Sequence, residues 1–303
     1  MSRQSWNGFN TVLCAIDFSE LSRHALRHAA VLATRARGRL VVLVVNDPLL
    51  AAAATAARPH LNLREQSAAE LDRFVRTTLG ATALTAIDRR VTTGEPADRI
   101  LFSARAVGAD LIVVGSQGLT GIARFAFGST TTAVLKQSPV PVLVVRANNA
   151  AVRREPYSWP RGHIVAPVML DRRTADDIDA LSRVAAWFSC SLTLVHVLTG
   201  PLAPPWLRRR LSGRNAHKLE RTRRRLASAA GSHARVPTRV RVLEGSPAEM
   251  IAAVATPRRT PLLIMMLRDR RRWFEPGRGA LTYRILTQVD VPVLACPPRW
   301  RPR

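Results

Sequence analysis

The chain contains an internal repeat, and this repeat constrains the fold more than any other feature of the sequence. The segment GRLVVLVVNDP at 38–48 is matched by CSLTLVHVLTG at 190–200, with an offset of 152 residues. The segment SPVPVLVVR at 138–146 is matched by VDVPVLACP at 289–297, with an offset of 151. Repetition at this scale is typical of two copies of one domain. The 303 residues are enough for two domains of about 150 residues, each with its own core.

The repeat also fixes where the two domains meet. We expect the first domain at 1–147 and the second at 160–303. The stretch 148–159 contains two asparagines and a proline, residues that mark irregular segments, so we interpret it as a linker.

Each copy alternates apolar runs with segments of helical period. The predicted strands of the first copy are Thr11–Ile16, Leu40–Val45, Leu84–Val91, Leu111–Val114 and Val140–Val145. The predicted helices are Leu21–Arg35, Leu63–Leu79, Pro96–Val107 and Ser129–Gln137. Strands rich in Val, Ile and Leu without polar alternation are typical of a parallel sheet covered on both faces by helices. We therefore predict two tandem Rossmann-like α/β domains, in which ligands bind beyond the carboxyl ends of the strands.

A glycine-spaced segment, GSQGLTGIARFAFGST at 115–130, follows the fourth predicted strand. Its glycines, expected to turn with positive φ and to bring backbone N–H groups close to a ligand, are Gly115, Gly118, Gly121 and Gly128. Ser129 and Thr130 follow at the predicted start of a helix, where unpaired N–H groups and the helix dipole favour an anion. The segment matches neither the Walker A pattern nor the dinucleotide fingerprint. From its residues alone, a phosphate-binding loop and a connecting turn both stay open.

Two other residues are expected at the same edge of the sheet. Asp17 directly follows the first predicted strand, where it can accept hydrogen bonds from a ribose or cap the first helix, a role for which Ser19 competes. Val45 ends the neighbouring strand and offers backbone groups to a base. Together with the glycine-spaced segment, these residues indicate a nucleotide.

The order VLCAIDFSELSRHAL, LVVLVVNDP, GEPADRIL and GADLIVVGSQGLTGIARFAFGSTTTAVLKQSPVPVLVVR resembles the universal stress protein family in a tandem two-domain form, over nearly the whole chain. The ATP-binding members carry G-x2-G-x9-G-S/T, which Gly115, Gly118, Gly128 and Ser129 match. The resemblance implies a five-stranded parallel sheet in each domain and ATP at the glycine-spaced segment. It also implies that adenine is held by the backbone around Val45 and that Asp17 contacts the ribose or a phosphate.

The resemblance further implies that Ala15 lies close to the ligand and that the last strands, VPVLVV and VPVLAC, pair with one another. Gln117 departs from the basic residue common in the family, and Arg124 is the only cation inside the segment that can compensate. We expect ATP as the ligand, Mg²⁺ as its candidate companion, no catalytic residue, and at most slow hydrolysis in a stress-responsive regulator. The full expected set is Ala15, Asp17, Val45, Gly115, Ser116, Gln117, Gly118, Gly121, Arg124, Gly128, Ser129 and Thr130.

The second copy has lost this pattern. Met169 stands opposite Asp17, Leu267 opposite Gly115, and Ala280 opposite Ser129, while Arg270 replaces Gly118. Without the carboxylate and the glycines, we do not expect ATP to bind the second domain in the same way. The arginines around 268–272 leave a different anion site open.

The charge of the chain is uneven as well as high. The formal net charge is +25, with 17 basic against 10 acidic residues in 1–150 and 29 against 11 in the remainder. The segment 207–226 holds nine cations and one Glu, with leucines at helical spacing. It is either an amphipathic helix with a solvated charged face or, with the arginines near 270, a patch for nucleic acid or an acidic partner. An interaction protein that binds a polyanion through its basic C-terminal half is therefore the alternative function.

The remaining titratable residues indicate no metal or disulfide chemistry. Cys14, Cys190 and Cys296 lie in or beside apolar runs, which favours buried thiols. His24 and His28 share a helix face without a third ligand nearby, so we interpret them as part of a solvated face. No apolar run reaches the length of a membrane span, and the N-terminus lacks a hydrophobic signal core, so we expect no membrane insertion and a cytoplasmic location.

Overall fold

The chain forms two α/β units, and the main boundary between them falls between Trp159 and Pro160. The first unit comprises Asn7–Trp159 and Leu294–Pro297, and the second consists mainly of Pro160–Val293 and Pro298–Arg303. The structure is a computed structural model, and the residues it describes are 6–57, 62–80, 87–116, 128–146, 159–199, 205–257, 260–268, 280–298 and 300–302.

The first unit is built on a parallel sheet with the strand order β3-β2-β1-β4-β5. Its strands are β1 (Thr11–Ile16), β2 (Arg39–Asn46), β3 (Ile87–Thr93), β4 (Leu111–Gly115) and β5 (Val142–Val145). Its helices are α1 (Glu20–Ala36), α2 (Pro48–Ala57), α3 (Leu63–Leu79), α4 (Pro96–Ala106) and α5 (Ser129–Gln137). The strand order reverses between β1 and β4, and in open α/β sheets this switch point is where ligands bind.

The second unit repeats the arrangement. Its strands β6 (His163–Pro167), β7 (Ser191–Leu198), β8 (Thr238–Glu244) and β9 (Leu263–Met266) run parallel in the order β9-β6-β7-β8, the counterpart of β4-β1-β2-β3. Its helices are α6 (Thr174–Trp187), α7 (Pro205–His233), α8 (Pro247–Val254) and α9 (Ala280–Gln288). The last strand is β10 (Val293–Cys296), and most of it groups with the first unit by its contacts. The α/β class predicted from the apolar runs is confirmed.

The central strands are buried on both faces, which explains why the sequence shows apolar runs rather than alternation. In β1, Val12, Leu13 and Cys14 are fully buried, and β2 is buried from Leu40 to Val44. Cys14, Cys190 and Cys296 are buried thiols, as predicted. Burial raises the pKa of the Cys14 thiol far above its ordinary value, so this thiol stays protonated and inert.

The interpretation of His24 and His28 as a solvated helix face is wrong. Both side chains are buried, because α1 packs against β1 and β4 as well as against α3. The Nδ1 atom of His28 lies 2.7 Å from the carbonyl oxygen of His24, and its ring meets Trp159 edge-on with 4.5 Å between the centroids. Burial lowers the pKa of His28 to about 4, so the imidazole is neutral at pH 7.

Within the described part of the chain, no helix has the length and apolar character needed to cross a membrane. The basic segment 207–226 lies inside α7, as its leucine spacing predicted. On that helix Leu226 is fully buried while Arg223, Arg224 and Arg225 are exposed, which is the pattern of an amphipathic helix with a charged outer face.

Candidate functional site

The carboxyl ends of β1, β2 and β4 meet at one edge of the first sheet. In the parallel register Ile16 lies beside Val44, so Asp17 and Val45 occupy the next level along their strands. On the other side of β1, strand β4 ends at Gly115. Three of the residues expected around a nucleotide are thus brought to the switch point of the sheet.

Asp17 is held in place through only one of its carboxylate oxygens. Its Oδ1 accepts hydrogen bonds from the backbone N–H of Ser19 at 3.1 Å and from the hydroxyl of Ser22 at 2.6 Å. Ser19, not Asp17, is the N-cap of α1, since its Oγ accepts from the N–H of Ser22 at 3.2 Å. Among the described residues no donor contacts Oδ2 of Asp17, which is half-buried. The carboxylate is therefore oriented and keeps an acceptor for a ligand.

Phe18 forms the turn that follows Asp17, and no sequence pattern predicted its conformation. Its φ is 63°, in the left-handed region that bulky residues rarely adopt. Its ring packs edge-on against Phe74 with 5.6 Å between centroids, and the guanidinium of Arg23 lies 4.4 Å above the ring of Phe74. Non-glycine residues in this region store on the order of 1–3 kcal/mol of strain and cluster at ligand sites.

The glycine-spaced segment begins and ends at one point of the sheet. The N–H of Gly128 donates to the carbonyl of Ser116 at 3.0 Å, and the hydroxyl of Thr131 donates to the carbonyl of Gly115 at 2.8 Å. The N–H of Ser116 donates in turn to Val145 in β5 at 2.9 Å. Both ends are thereby attached to the carboxyl end of β4. Gln117, Gly118, Gly121 and Arg124 lie outside the described residues.

The expectation that Gly128 turns with positive φ is wrong. Gly128 is the N-cap of α5 with φ −59° and ψ 147°, and Gly115 is an extended residue of β4. An extended backbone is the usual way into a helix, so conformational freedom is not what glycine contributes at 128. Because glycine has no side chain, no side-chain hydrogen bond caps α5. The N–H groups of Ser129 and Thr130 precede the first intrahelical bond, from Thr132 to Gly128, and are placed to meet an anion.

Ala15 and Val45 interrupt two otherwise buried strands. Ala15 follows three buried residues of β1, and Val45 follows five buried residues of β2, yet both are only partly buried. The exposed parts of these two residues lie next to Asp17, where the family resemblance implies that a base binds. Among the described residues, no group of three or more His, Cys, Asp or Glu side chains is arranged to hold a metal ion.

The equivalent edge of the second unit has different chemistry. At the repeat offset of 152 residues, Met169 corresponds to Asp17 and Arg268 to Ser116. The Nη2 atom of Arg268 lies 2.7 Å from Oδ2 of Asp177, a carboxylate that is 2% exposed. Burial raises the pKa of Asp177, although the nearby cations Arg268, Arg173 and Arg301 oppose that shift. An ion pair between the partly exposed Arg268 and the buried Asp177 therefore lies at the end of β9.

Two comparisons with known sequences agree with the repeat. The model of the universal stress protein family matches the chain twice, at residues 8–146 and 163–297. A universal stress protein of Thermus aquaticus, from the QAH/OAS sulfhydrylase 3' region, is 34% identical over 144 residues, which cover 46% of this chain and 99% of that protein. Universal stress protein YxiE of Bacillus subtilis is 31% identical over 147 residues, with the same two coverages of 46% and 99%.

Solved structures show the same fold over the full chain. A universal stress protein from Archaeoglobus fulgidus superposes with a TM-score of 0.63 at 16% identity, covering 97% of this chain and 98% of that one. The functionally unknown protein PA1789 from Pseudomonas aeruginosa gives 0.64 at 15% identity, covering 97% and 94%. At such identities the likeness establishes the fold alone. Together with the two family matches, it leads to the conclusion that the chain belongs to the universal stress protein family and carries the family's domain twice in tandem.

Proposed function

We propose that the first unit binds ATP at the carboxyl ends of β1, β2 and β4 and that the protein is a nucleotide-responsive regulator in the stress response. The observation that carries this proposal is the position of Asp17. Its Oδ1 accepts hydrogen bonds from Ser19 and Ser22, while Oδ2 has no donor among the described residues. Asp17 lies at the same level of the sheet as Val45, the partly buried residue that follows five buried residues of β2. The oriented carboxylate of Asp17 can accept hydrogen bonds from a ribose, and the partly exposed end of β2 leaves room for the attached base.

A different part of the first unit supports binding of the phosphates. The segment that starts at Ser116 and returns at Gly128 matches the family's ATP-binding spacing, and it leads directly into the N-terminus of α5. Backbone N–H groups there and the helix dipole favour negative charge. Mg²⁺ would accompany the phosphates, because this ion is usually held by phosphate oxygens and water with one or two carboxylates.

The proposed role is a conformational response to ATP rather than rapid turnover. ATP biases an equilibrium between two states only if it binds one of them more tightly. A phosphate-release assay with an Asp17→Ala control measures any hydrolysis. A rate of multiple turnovers per second, lost in that variant, would instead indicate an enzyme.

The test of ATP binding uses two variants at matching positions of the repeat. Ser129→Glu places a carboxylate at the N-terminus of α5, where it interacts favourably with the helix dipole but repels phosphate. Ala280→Glu makes the corresponding change at the start of α9. In isothermal titration we expect Ser129→Glu to weaken ATP binding at least tenfold and Ala280→Glu to leave it unchanged. Absent binding by the unaltered protein, or equal binding by both variants, would refute the proposal.

A polyanion-binding surface on the second unit is the second candidate, and the edge strands favour it. In β8, Arg239 and Arg241 are exposed and have no carboxylate partner among the described residues. In β3 of the first unit, Arg89 pairs with Asp72 at 3.1 Å and Arg90 with Asp88 at 2.8 Å. Charged residues also protect sheet edges from aggregation, which is the competing explanation for the β8 arginines.

A gel-shift titration with a DNA duplex at low and high salt separates these explanations. Binding to phosphates must weaken steeply as salt rises. The double variant Arg239→Glu and Arg241→Glu is expected to abolish the shift, while Arg89→Glu and Arg90→Glu in the first unit should preserve it. No shift at low salt would eliminate this candidate.

Two further expectations from the family resemblance stay proposals. Pairing through the last strands, β5 and β10, predicts defined self-association, which light scattering of the purified chain measures. The cytoplasmic location is tested by fractionation of the source cells.

A further inference from the structure

The second unit contains a cavity where the first unit is proposed to hold its nucleotide. The cavity has a volume of about 360 Å³ and lies at the carboxyl ends of β6, β7 and β9. Its lining includes Met169, Val197 and Arg268, the repeat counterparts of Asp17, Val45 and Ser116. A volume in the range of small-molecule sites, about 300–1,000 Å³, is thus kept in the second unit although the nucleotide residues are not.

The walls of this cavity are aliphatic. The apolar side chains that surround it are Met169, Leu198, Ile251, Met266, Leu281 and Ile285. No Phe, Tyr or Trp is present among its described lining residues, and the aromatic ring that these residues do include, the imidazole of His196, has its Nδ1 atom 2.9 Å from the carbonyl oxygen of Val168. The large aromatic side chains on which a base usually stacks are therefore missing from the described lining. Methionine side chains adapt to flexible apolar ligands. The chemistry of the walls therefore favours an alkyl chain over an aromatic ring.

The polar groups of the cavity carry a net positive charge. Two cations, Arg268 and Lys218, line it together with one carboxylate, Asp177. The Nη2 atom of Arg268 pairs with Asp177 at 2.7 Å. Its Nη1 atom lies 3.4 Å from Oδ2 of Asp171 and is buried without a hydrogen-bond partner among the described residues. Arginine has five N–H donors, so this guanidinium retains hydrogen-bonding capacity beyond the ion pair.

The charged residues that line the cavity indicate the charge of the ligand's head group. Arg268 is already paired with Asp177 in the cavity wall and with Asp171 outside it. Among the described lining residues, Lys218 on α7 is therefore the cation that is available to a singly charged anion. A triphosphate would bring several negative charges to a cavity whose described lining has one cation without a carboxylate contact and is otherwise largely apolar. The surplus of 29 basic over 11 acidic residues in 151–303 also attracts anions to this half of the chain.

We infer that the cavity of the second unit binds an amphipathic monocarboxylate, a fatty acid of medium chain length. Its carboxylate lies between Arg268 and Lys218, and its alkyl chain lies against Met169, Met266 and Ile251. This site is independent of ATP binding by the first unit, so its failure and that of the ATP site are separate outcomes.

The test is isothermal titration of the full chain with decanoate, and the key variant is Met169→Asp. Met169 is 53% exposed, so the change is compatible with folding, and it restores the residue type of the first unit at the mouth of the cavity. A carboxylate there repels the ligand and removes an apolar contact, so we expect decanoate to bind at least tenfold more weakly. Leu49→Asp is the matched control, because it makes the same kind of change at an 81% exposed position of the first unit. It should bind decanoate like the unaltered protein.

Other ligands and one further variant test the parts of the inference separately. Lys218→Ala should weaken decanoate several-fold, and decanol and acetate should each bind much more weakly than decanoate, because each lacks one half of the ligand. Absent decanoate binding, equal binding by Met169→Asp and Leu49→Asp, or equal binding of decanol would overturn the inference. Displacement of decanoate by equimolar inorganic phosphate would also overturn it, since the two cations would then form a plain anion site.

Discussion

The two units share one strand order but differ at the ends of their strands. In the first unit, Asp17 presents a carboxylate oxygen beside partly open strands, and a hydrogen bond from Gly128 to Ser116 joins β4 to α5. In the second, Met169 replaces that carboxylate, and Arg268 crosses to the buried Asp177. The same strand order is therefore compatible with different side-chain chemistry at the carboxyl edges of the two sheets.

Removal of the buried carboxylate of the second unit is expected to change the free energy of unfolding more than the other substitutions. Asp177→Ala removes the buried carboxylate that contacts Arg268 at 2.7 Å and leaves this arginine with the longer contact to Asp171 at 3.4 Å. The free energy of unfolding is expected to fall by about 3–5 kcal/mol, the range for a broken buried pair. The double variant Asp177→Ala and Arg268→Leu should recover most of that loss, because Arg268 was the closest cation to Asp177, whereas Arg173 and Arg301 lose only longer contacts of 4.0 and 3.9 Å. Denaturant midpoints followed by fluorescence measure both. Equal loss in the single and double variants would show that the ion pair is not the cause.

A smaller effect distinguishes the units by pH. The pKa of His28 is about 4 when folded against an ordinary 6.5, so between these values the unfolded chain binds a proton that the folded chain does not. The folded state of the first unit is therefore favoured above pH 6.5 and loses about 3 kcal/mol as the pH falls to 4, at about 1.4 kcal/mol per pKa unit. The equivalent position in the second unit is Ala180, which does not titrate.

The variant His28→Phe keeps a ring against Trp159 and removes the titrating group. Unfolding midpoints at pH 7 and at pH 4.5 should differ less in this variant than in the unaltered protein. The same difference in both would mean that His28 does not control the acid sensitivity of the first unit.

The smallest expected effect concerns how the helices begin. Ser19 caps α1 with a hydrogen bond to the N–H of Ser22, so Ser19→Ala is expected to reduce the free energy of unfolding by about 1 kcal/mol. Ser246 is the N-cap of α8 in the second unit but makes no side-chain cap hydrogen bond. Ser246→Ala is therefore the matched control, with a loss of only a few tenths of a kcal/mol. Thermal unfolding compares the two, and a larger loss for Ser246→Ala would contradict the assignment of the caps.

The sequence predicted most of the first unit because its elements carry periodic apolar patterns. The helices Leu63–Leu79 and Ser129–Gln137 and the strand Thr11–Ile16 were predicted with the observed bounds. The helix Pro48–Ala57 was not predicted, since its alanine-rich sequence has no polar face to reveal a helical period. The burial of His24 and His28 was missed because α1 is covered by α3 as well as by the sheet, and a local pattern does not show a second neighbour.

The sequence predicted where Asp17 and Gly115 lie in the fold but not the local geometry around them. Asp17 and Gly115 were expected at one edge because carboxyl ends of parallel strands meet there. Three features depend on backbone angles that the residue type does not determine. They are the capping of α1 by Ser19 rather than Asp17, the left-handed conformation of Phe18 and the extended conformation of Gly128. The pairing of Asp177 with Arg268 joins residues far apart in the chain, so only the fold reveals it.

The hydrogen bond between Gly128 and Ser116 has an evolutionary consequence. It connects the two residues that flank positions 117–127, and this link between the ends of β4 and α5 is made by backbone atoms. Insertions between fixed ends add little closure entropy, about 0.6 kcal/mol for each doubling of length. We therefore expect substitutions or insertions at positions 117–127 to leave the register of β4 unchanged.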